Sequence, residues 1–588
     1  MSKKIIQLSL LFTFALTACA HQPPSPIQAL TATTDAIPVL KLAPRAQVEA
    51  HGKKWMISTQ GIASTQAAAE VIHAGGNLID AAIAASFAVS VERPQSTGLG
   101  GGGFLIYHEA KTGKNFVLDF RERAPARASK NMYLNAKGEV IENLSINGGL
   151  AIGVPGLVRG LKLAHQKWGN KKTSWPSLLQ PAIRLAQNGF KIYKPLASAL
   201  NEEADDLNKF PASKKIFLNA DGRPKKEGDL LVQVDLAKTL GVIAKNPESI
   251  YTGAIARQIV KAVQAQKGIL SLADLRNYQV KERPAVVADF RGYQIVSMPP
   301  PSSGGIHVIQ ILKLLEKDEL NAQNFLSAQS LHLEAEAMQQ AFADRAKYLG
   351  DPDFVSVPTD ALIQDAYLAK LRSEFDEKNA RPSSQVFAGK IPPPEPEHTT
   401  HLTLMDSEGN VVVSTQTING YFGSGLVAAG TGIVLNNEMD DFAAKQGVQN
   451  IFGATAISDA NSIAPHKTPL SSMSPTIVLK DGMPVLALGA PGGTRIITAV
   501  AQTILNYLVF HQDLYTSIAA PRIHHQWRPD TLLIENQPVA VEVLQDLNRR
   551  GYHLERVRAE ANVMAVAREG DDLVGVADPR DIGTSYGE

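Results

Sequence analysis

The chain has 588 residues, of which 44% are hydrophobic and 20% charged, and its net charge is +1. That length has room for several domains of roughly 150 residues each, but the only Pro-rich break inside the body is 391–398, so one large compact domain is expected, and the composition is ordinary for a globular protein. The near-neutral charge gives no electrostatic case for nucleic acid, and the single cysteine excludes internal disulfides.

The N-terminus reads as an export signal. Lys3 and Lys4 precede an apolar run from Ile5 to Ala18, too short and too near the start for an ordinary membrane span. The run ends Leu16-Thr17-Ala18-Cys19, and Cys19 is the sole cysteine. This looks like the lipobox of bacterial lipoprotein signals; the alternative is a plain secretory signal. The expectation is a signal peptide over 1–18, lipidation of Cys19 and a flexible tether over 19–45, rich in proline, threonine and alanine. The product would be periplasmic, and Ala20 is not the aspartate kind of inner-membrane retention signal.

The body follows. From Thr65 to Val91 the pattern predicts two helices around Gly75-Gly76-Asn77. The second is apolar on nearly all sides from Ala81 to Val89 and is therefore buried. Gly98-Leu99-Gly100-Gly101-Gly102-Gly103 has the letters of a dinucleotide fingerprint. It follows a helix and leads into a strand, Phe104 to Tyr107, which reverses the order that fingerprint needs. Close backbone packing is the better reading. A strand from Asn115 to Phe120 runs into Arg121, which is a solvated charge, a structural ion pair or a fork for a carboxylate. Residues 150–380 read mainly as helices, among them 177–188, 254–267 and 327–348. Tyr293 to Met298 is a strand that enters the loop Pro299-Pro300-Pro301-Ser302-Ser303-Gly304-Gly305.

A proline-rich run, 391–398, interrupts the body and cannot belong to a sheet. It meets a predicted hairpin. Residues 399–405 and 411–417 carry strand-forming Thr, Val and Leu, and Asp406 to Asn410 is turn chemistry. With Met405 opposite Val411, Thr399 lies opposite Thr417, close enough to hydrogen-bond. One reading is an exposed loop before an ordinary strand. The other is a cut before Thr399 that frees a threonine whose own α-amine acts as its base.

Four more signals come after the hairpin. Ile433 to Phe442 reads as a strand ending in the carboxylates and amides of Asn436-Asn437-Glu438-Met439-Asp440-Asp441. Ala443 to Ile463 is a long loop of little periodicity, the kind that often forms a lid. Pro469-Leu470-Ser471-Ser472-Met473-Ser474-Pro475 precedes a strand, Thr476 to Leu479. Strand Val485 to Leu488 breaks into Pro491-Gly492-Gly493-Thr494-Arg495 and a helix. Two glycines there are either a plain turn or an oxyanion site of backbone N–H groups. The adjacent His524 and His525 diverge on any regular element and suit structural roles. No metal-ligand spacing occurs and no cofactor is expected.

Thr399-Thr400-His401, Asn436 to Phe442, Pro469 to Pro475 and Pro491 to Arg495 resemble gamma-glutamyltranspeptidase, in that order. Asp119-Phe120-Arg121-Glu122 and His524-His525-Gln526-Trp527 fit as well, so the likeness runs from about Gly61 to the C-terminus. It implies an α+β fold, the four-layer αββα sandwich of N-terminal-nucleophile hydrolases. It also implies self-cleavage between His398 and Thr399, giving a large subunit (46–398) and a small one (399–588) that stay together as a heterodimer. Thr399 would be the nucleophile, Thr417 its hydrogen-bonding partner, and Gly492 and Gly493 the oxyanion hole. Arg121, Ser471 and Ser472 would hold the substrate α-carboxylate; Asn419, Glu438 and Asp441 would hold its α-ammonium. Substrates would be glutathione and other γ-glutamyl compounds, with water, amino acids or dipeptides as acceptors. Two positions depart from the family pattern. Phe452 stands where the lid often has tyrosine, and Glu438 where many relatives have glutamine. A glutaryl or cephalosporin acylase is the rival, and two carboxylates in an ammonium pocket argue against it. A non-catalytic lipoprotein of the same fold is the other, and intact Thr399, Thr417, Gly492 and Gly493 argue against that.

Overall fold

The computed structural model describes residues 39–389, 400–455 and 457–588. Its frame is two seven-stranded sheets. In one, the strands run in the order 584–587, 55–59, 400–406, 411–417, 102–109, 114–119 and 281–283. In the other, the order is 49–52, 572–577, 564–569, 483–489, 476–480, 293–297 and 286–290.

Alternation along the strands builds the layers, because successive side chains point to opposite faces. Phe104, Ile106, Met405, Val411 and Val413 of the first sheet pack with Val296, Ile477, Leu479, Ala487 and Val566 of the second. Their neighbours Leu105, Leu402, Leu404 and Val412 pack instead against helices Ile62–His73, Leu78–Glu92, Leu157–Trp168 and Trp175–Asn188. On the outer face of the second sheet, Ile295, Val478, Leu486 and Leu488 meet helices Gly304–Leu314, Ala328–Tyr348 and Arg495–Leu508. Helix, sheet, sheet, helix is the αββα sandwich expected. Each fully buried Val, Leu or Phe adds about 1.5–3 kcal/mol, so the three cores together hold the layers.

The buried helix is observed at Leu78–Glu92, with every residue buried. Asn77 and Asp80 form a capping box at its start. Glu92 at its other end accepts from the N–H groups of Ala63 and Ser64 at 2.9 and 3.1 Å, so it also caps helix Ile62–His73. The helices expected at 177–188, 254–267 and 327–348 are Trp175–Asn188, Gly253–Ala265 and Ala328–Tyr348.

The central hairpin is Thr400–Asp406 and Val411–Thr417. Met405 faces Val411 and Thr400 faces Gln416, the register read from the sequence. Thr400–Asp406 is also bonded to Trp55–Thr59, and Val411–Thr417 to Gly102–Glu109. Both sheets thus mix strands from before and after position 399. A cut there removes one covalent link and leaves the ladders on both sides.

Three expectations fall outside the described residues: the signal with Cys19, the proline-rich run, and the pair His398–Thr399. The far end of the stretch read as a tether is not free. Leu40 donates to the Asn536 carbonyl and Ala43 to that of Pro579. Among the described residues, no helix is long and apolar enough to cross a membrane.

Candidate active site

The site assembles at the open end of the central hairpin. The described pairing of the hairpin ends with Thr400 opposite Gln416, one residue short of Thr417. Thr417 itself pairs with Gly102. Glycine is required beside it: a Cβ on Gly101 would run into the Thr417 carbonyl. This is the close packing expected of the Gly98–Gly103 stretch. The chain then turns sharply at Asn419, whose φ of 72° is a left-handed conformation that asparagine tolerates. The turn brings the Asn419 N–H to Thr417 Oγ1 at 2.6 Å. Asn419 Nδ2 donates to the Asn437 carbonyl at 3.1 Å, and its Oδ1 is buried with no hydrogen-bond partner among the described residues.

One residue past Thr400, His401 is buried between the sheets and pressed against Gly489. Its ring sits 3.0 Å from Thr415 Oγ1 and 2.8 Å from Thr403 Oγ1. Burial pushes its pKa down to about 3, so it is neutral at pH 7. Gly489 ends its strand, and the chain continues directly into Pro491-Gly492-Gly493. Gly492 has φ 124°, and a Cβ there would lie 2.5 Å from Ala561 Cα and 2.6 Å from the Glu560 carbonyl. Gly493 has φ 71°, and helix Arg495–Leu508 begins two residues later. Gly492 thus permits a close approach that any Cβ would block, and Gly493 takes a left-handed φ at no steric cost, at the positive end of a helix dipole.

The charged centre is Arg121, fully buried. Its Nη1 is 2.7 Å from Glu438 and 4.0 Å from Glu122; its Nη2 is 2.9 Å from Asp441. Nε donates to the Pro469 carbonyl at 3.0 Å and Nη2 to that of Leu470 at 3.3 Å. Arg121 is thus held in an ion-pair network against the Pro469–Pro475 loop, the structural role weighed for it. Three carboxylates around one guanidinium resist full ionisation. Burial raises the pKa of Asp441 well above the usual range, and the charge of Glu438 adds to this against the pull of Arg121. Glu122 is raised in the same way, by burial and then by Glu438. Glu438 is itself raised, by burial first.

The strand expected to open the stretch Ile433 to Phe442 is present but short. Only Ile433–Val434 is strand, and Glu438–Asp441 is a short 3-10 turn. Asn436 diverts the chain. Its side chain donates to the carbonyls of Gly100 and Gly153 and accepts from the N–H groups of Gly153 and Glu438, at 2.7–3.0 Å. Such side-chain bonds to backbone compete with a ladder.

Ser471 and Ser472 are buried beside Arg121's loop. Ser471 Oγ accepts from the Met473 N–H at 3.0 Å. Its carbonyl accepts from Ser303 N, Ser303 Oγ and Ser302 Oγ, which lashes the proline-rich loop 299–305 to this one. Ser472 Oγ accepts from Arg345 Nη2 at 2.6 Å. The 443–463 loop folds over the acidic residues. Asn450 Nδ2 donates to Asp441 at 3.2 Å and the Ile451 N–H to Asp440 at 3.0 Å. A cavity of ≈ 210 Å³ lies between this loop, Asn143 and Asp441. His524 and His525 diverge, as expected: one meets Thr498 and the other faces Tyr552.

The structure brings together Arg121, Glu438, Asp441 and the loop of Ser471 and Ser472, and separately Thr417 and Asn419. Sequence reasoning missed Glu122, Arg345, Asn436 and His401 as parts of the site. Glu122 and His401 were legible as neighbours of chosen residues; Arg345 carried no local signal.

Comparison with known proteins agrees with this geometry. The family model for gamma-glutamyltranspeptidase matches residues 64–587. The glutathione hydrolase proenzyme of Escherichia coli K12 is 42% identical over 90% of this chain and 91% of its own length. The solved cephalosporin acylase of Bacillus halodurans superposes with a TM-score of 0.83 at 26% identity, covering 94% of this chain and 99% of its own. The solved gamma-glutamyltranspeptidase chain of Helicobacter pylori is 41% identical with a TM-score of 0.55, covering 60% of this chain and 97% of its own. A match of that extent, on a site with these residues, shows that the chain belongs to the gamma-glutamyltranspeptidase family.

Proposed function

We propose that the protein is a proenzyme that cuts itself before Thr399 and then hydrolyses and transfers γ-glutamyl groups, glutathione among its donors. The observation that carries the reading is the buried Arg121–Glu438–Asp441 cluster. A γ-glutamyl group ends in an α-carboxylate and an α-ammonium. That zwitterion can replace the internal ion pairs one for one, its carboxylate taking Arg121 with Ser471 and Ser472, its ammonium taking Glu438, Asp441 and Asn419.

The chemistry follows from the freed amine. An α-amine has a pKa of about 7.7–8.0, so a useful fraction is neutral near pH 7. It takes the proton of Thr399 Oγ1 as that oxygen attacks the γ-carbonyl carbon. The negative oxygen is stabilised by the N–H groups of Gly492 and Gly493. The C–N bond then breaks, the proton passes to the leaving amine, and cysteinylglycine departs. Water, an amino acid or a dipeptide attacks the γ-glutamyl ester and regenerates Thr399. Thr417, as the resemblance implies, hydrogen-bonds the nucleophile. Before the cut the amine is tied up in the His398–Thr399 peptide bond, so the precursor has no base. The test is p-nitroaniline release from a γ-glutamyl anilide, with and without glycylglycine. Release that glycylglycine accelerates is expected; a two-fragment protein that releases none sinks the reading.

The same reading extends to the ends of the chain: signal 1–18, lipidated Cys19 and tether, large subunit 46–398 and small subunit 399–588. One acyl chain binds membranes only marginally, and stable anchoring takes more than one. A lipoprotein cysteine carries several, so the enzyme sediments with membranes, in our reading the outer one, and works in the periplasm. Cys19→Ser should move activity to the soluble periplasmic fraction or leave an unprocessed precursor in the inner membrane. Wild-type protein found soluble, with its N-terminus beyond Cys19, means that the plain secretory signal stands.

A further inference from the structure

His524-His525-Gln526-Trp527 has no part in the chemistry above, yet Gln526 stands between two pieces of the site. Its Oε1 accepts from Thr494 Oγ1 at 2.8 Å and lies 2.9 Å from His524 Nε2. Its Nε2 donates to the Gly453 carbonyl at 3.0 Å. Thr494 directly follows Gly492-Gly493 and immediately precedes helix Arg495–Leu508, to which its side chain makes no capping bond. Gly453 is the tip of a tight turn, Asn450–Ala454, closed by its own backbone bonds. The other end of that turn holds Asp441 through Asn450.

The partners dictate how the amide is oriented. A carbonyl only accepts, so Gln526 must present its NH2 group to Gly453, and its oxygen then faces Thr494 and His524. Burial, with the charge of Arg495 behind it, pushes the His524 pKa down to about 3, so that ring is neutral. With its Nε2 facing the Gln526 oxygen, that nitrogen carries the proton, and its Nδ1 lies 2.9 Å from Thr498 Oγ1. One chain of bonds runs from the first turn of the helix, through His524 and Gln526, to the tip of the loop.

We propose that Gln526 is a positioning residue that latches the 443–455 part of the loop, acting as a lid, to the turn at Gly492-Gly493, so that lid and turn move as one unit. The proposal rests on the assignment of those glycines to the oxyanion. With the latch made, Asn450 stays on Asp441 and the N–H groups of the turn stay aimed at the reacting carbonyl. With it broken, the lid opens more often and donor is held less well.

Hydrogen exchange of the 443–455 peptides, without substrate, tests the latch. Gln526→Glu keeps an acceptor for Thr494 and His524 but places an oxygen against the Gly453 carbonyl. Gln526→Leu removes both halves, and Thr494→Val removes only the link to the turn. Exchange in the lid should quicken about fivefold in both Gln526 variants, the equivalent of one net hydrogen bond, with both sheets unchanged. KM for a γ-glutamyl anilide should rise in both. The fall in kcat should be larger in Gln526→Leu and Thr494→Val than in Gln526→Glu. Lid exchange unchanged in both Gln526 variants overturns the proposal. So does faster exchange spread evenly over both sheets, which marks a general loss of packing. If Gln526→Leu fails to mature into two fragments, the other two variants still decide. A wild-type enzyme silent on γ-glutamyl donors, with the lid still released in Gln526→Glu, would remove the oxyanion assignment and leave the latch.

Discussion

Thr399→Ala protein is expected to run as one chain on a denaturing gel where the wild type gives two, and to release no anilide. One hydroxyl serves twice in this scheme. It attacks the preceding carbonyl to open the His398–Thr399 bond, and afterwards it attacks the substrate. Without it the chain keeps its peptide bond and never gains a free α-amine. Loss of a hydroxyl nucleophile costs roughly 10⁶ in kcat in a comparable acyl transfer, and here the base is lost with it. Misfolding should not confuse the result. The ladders Thr400–Asp406 with Trp55–Thr59 and Val411–Thr417 with Gly102–Glu109 do not use the Thr399 side chain. A Thr399→Ala chain still cut at the same bond would mean that an external protease does the cutting.

Asp441→Asn should abolish most γ-glutamyl turnover while sparing glutaryl-amide turnover. The substitution keeps the shape and removes the carboxylate that Asp441 can ionise against a bound ammonium. Truncating one partner of a buried charged hydrogen bond costs about 2–5 kcal/mol, or roughly 30-fold to a few thousand-fold. The donor's ammonium feels that loss directly. A glutaryl amide has no ammonium, so its turnover should fall less or rise. Asp441 also pairs with Arg121 at 2.9 Å, which gives the alternative outcome a clear meaning. Equal losses on both substrates would show that Asp441 serves only to orient Arg121. The same pair of substrates separates a γ-glutamyl enzyme from an acylase, whose substrates lack the ammonium.

What could be read from the sequence was local. The hairpin register followed from a period of two and a turn of fixed length, and the structure has it. The helix Leu78–Glu92 followed from being apolar on every side. The glycine-rich stretch at 98–103 was legible once its order of helix then strand was noticed. The ion pairs were not legible. Arg121 and Asp441 are 320 residues apart, and Arg345 and Ser472 are 127 apart, so no window of sequence contains either pair. Gln526 lies within the motif His524-His525-Gln526-Trp527, but its bond to a backbone carbonyl at Gly453 depends on no side chain that a pattern could record. The strand that opens the stretch Ile433 to Phe442 is only two residues long, and Asn436 just after it spends its amide on Gly100 and Gly153, a use invisible in its own neighbourhood.

The most direct measurement is the identity of the acylated residue. Protein turning over a γ-glutamyl donor is quenched in acid, its two fragments are separated, and each is digested and read by mass spectrometry. The account predicts a small fragment that begins Thr399-Thr400-His401 and carries a γ-glutamyl group on Thr399, absent when donor is left out. A γ-glutamyl group on any other residue, or a small fragment that begins elsewhere, would contradict it.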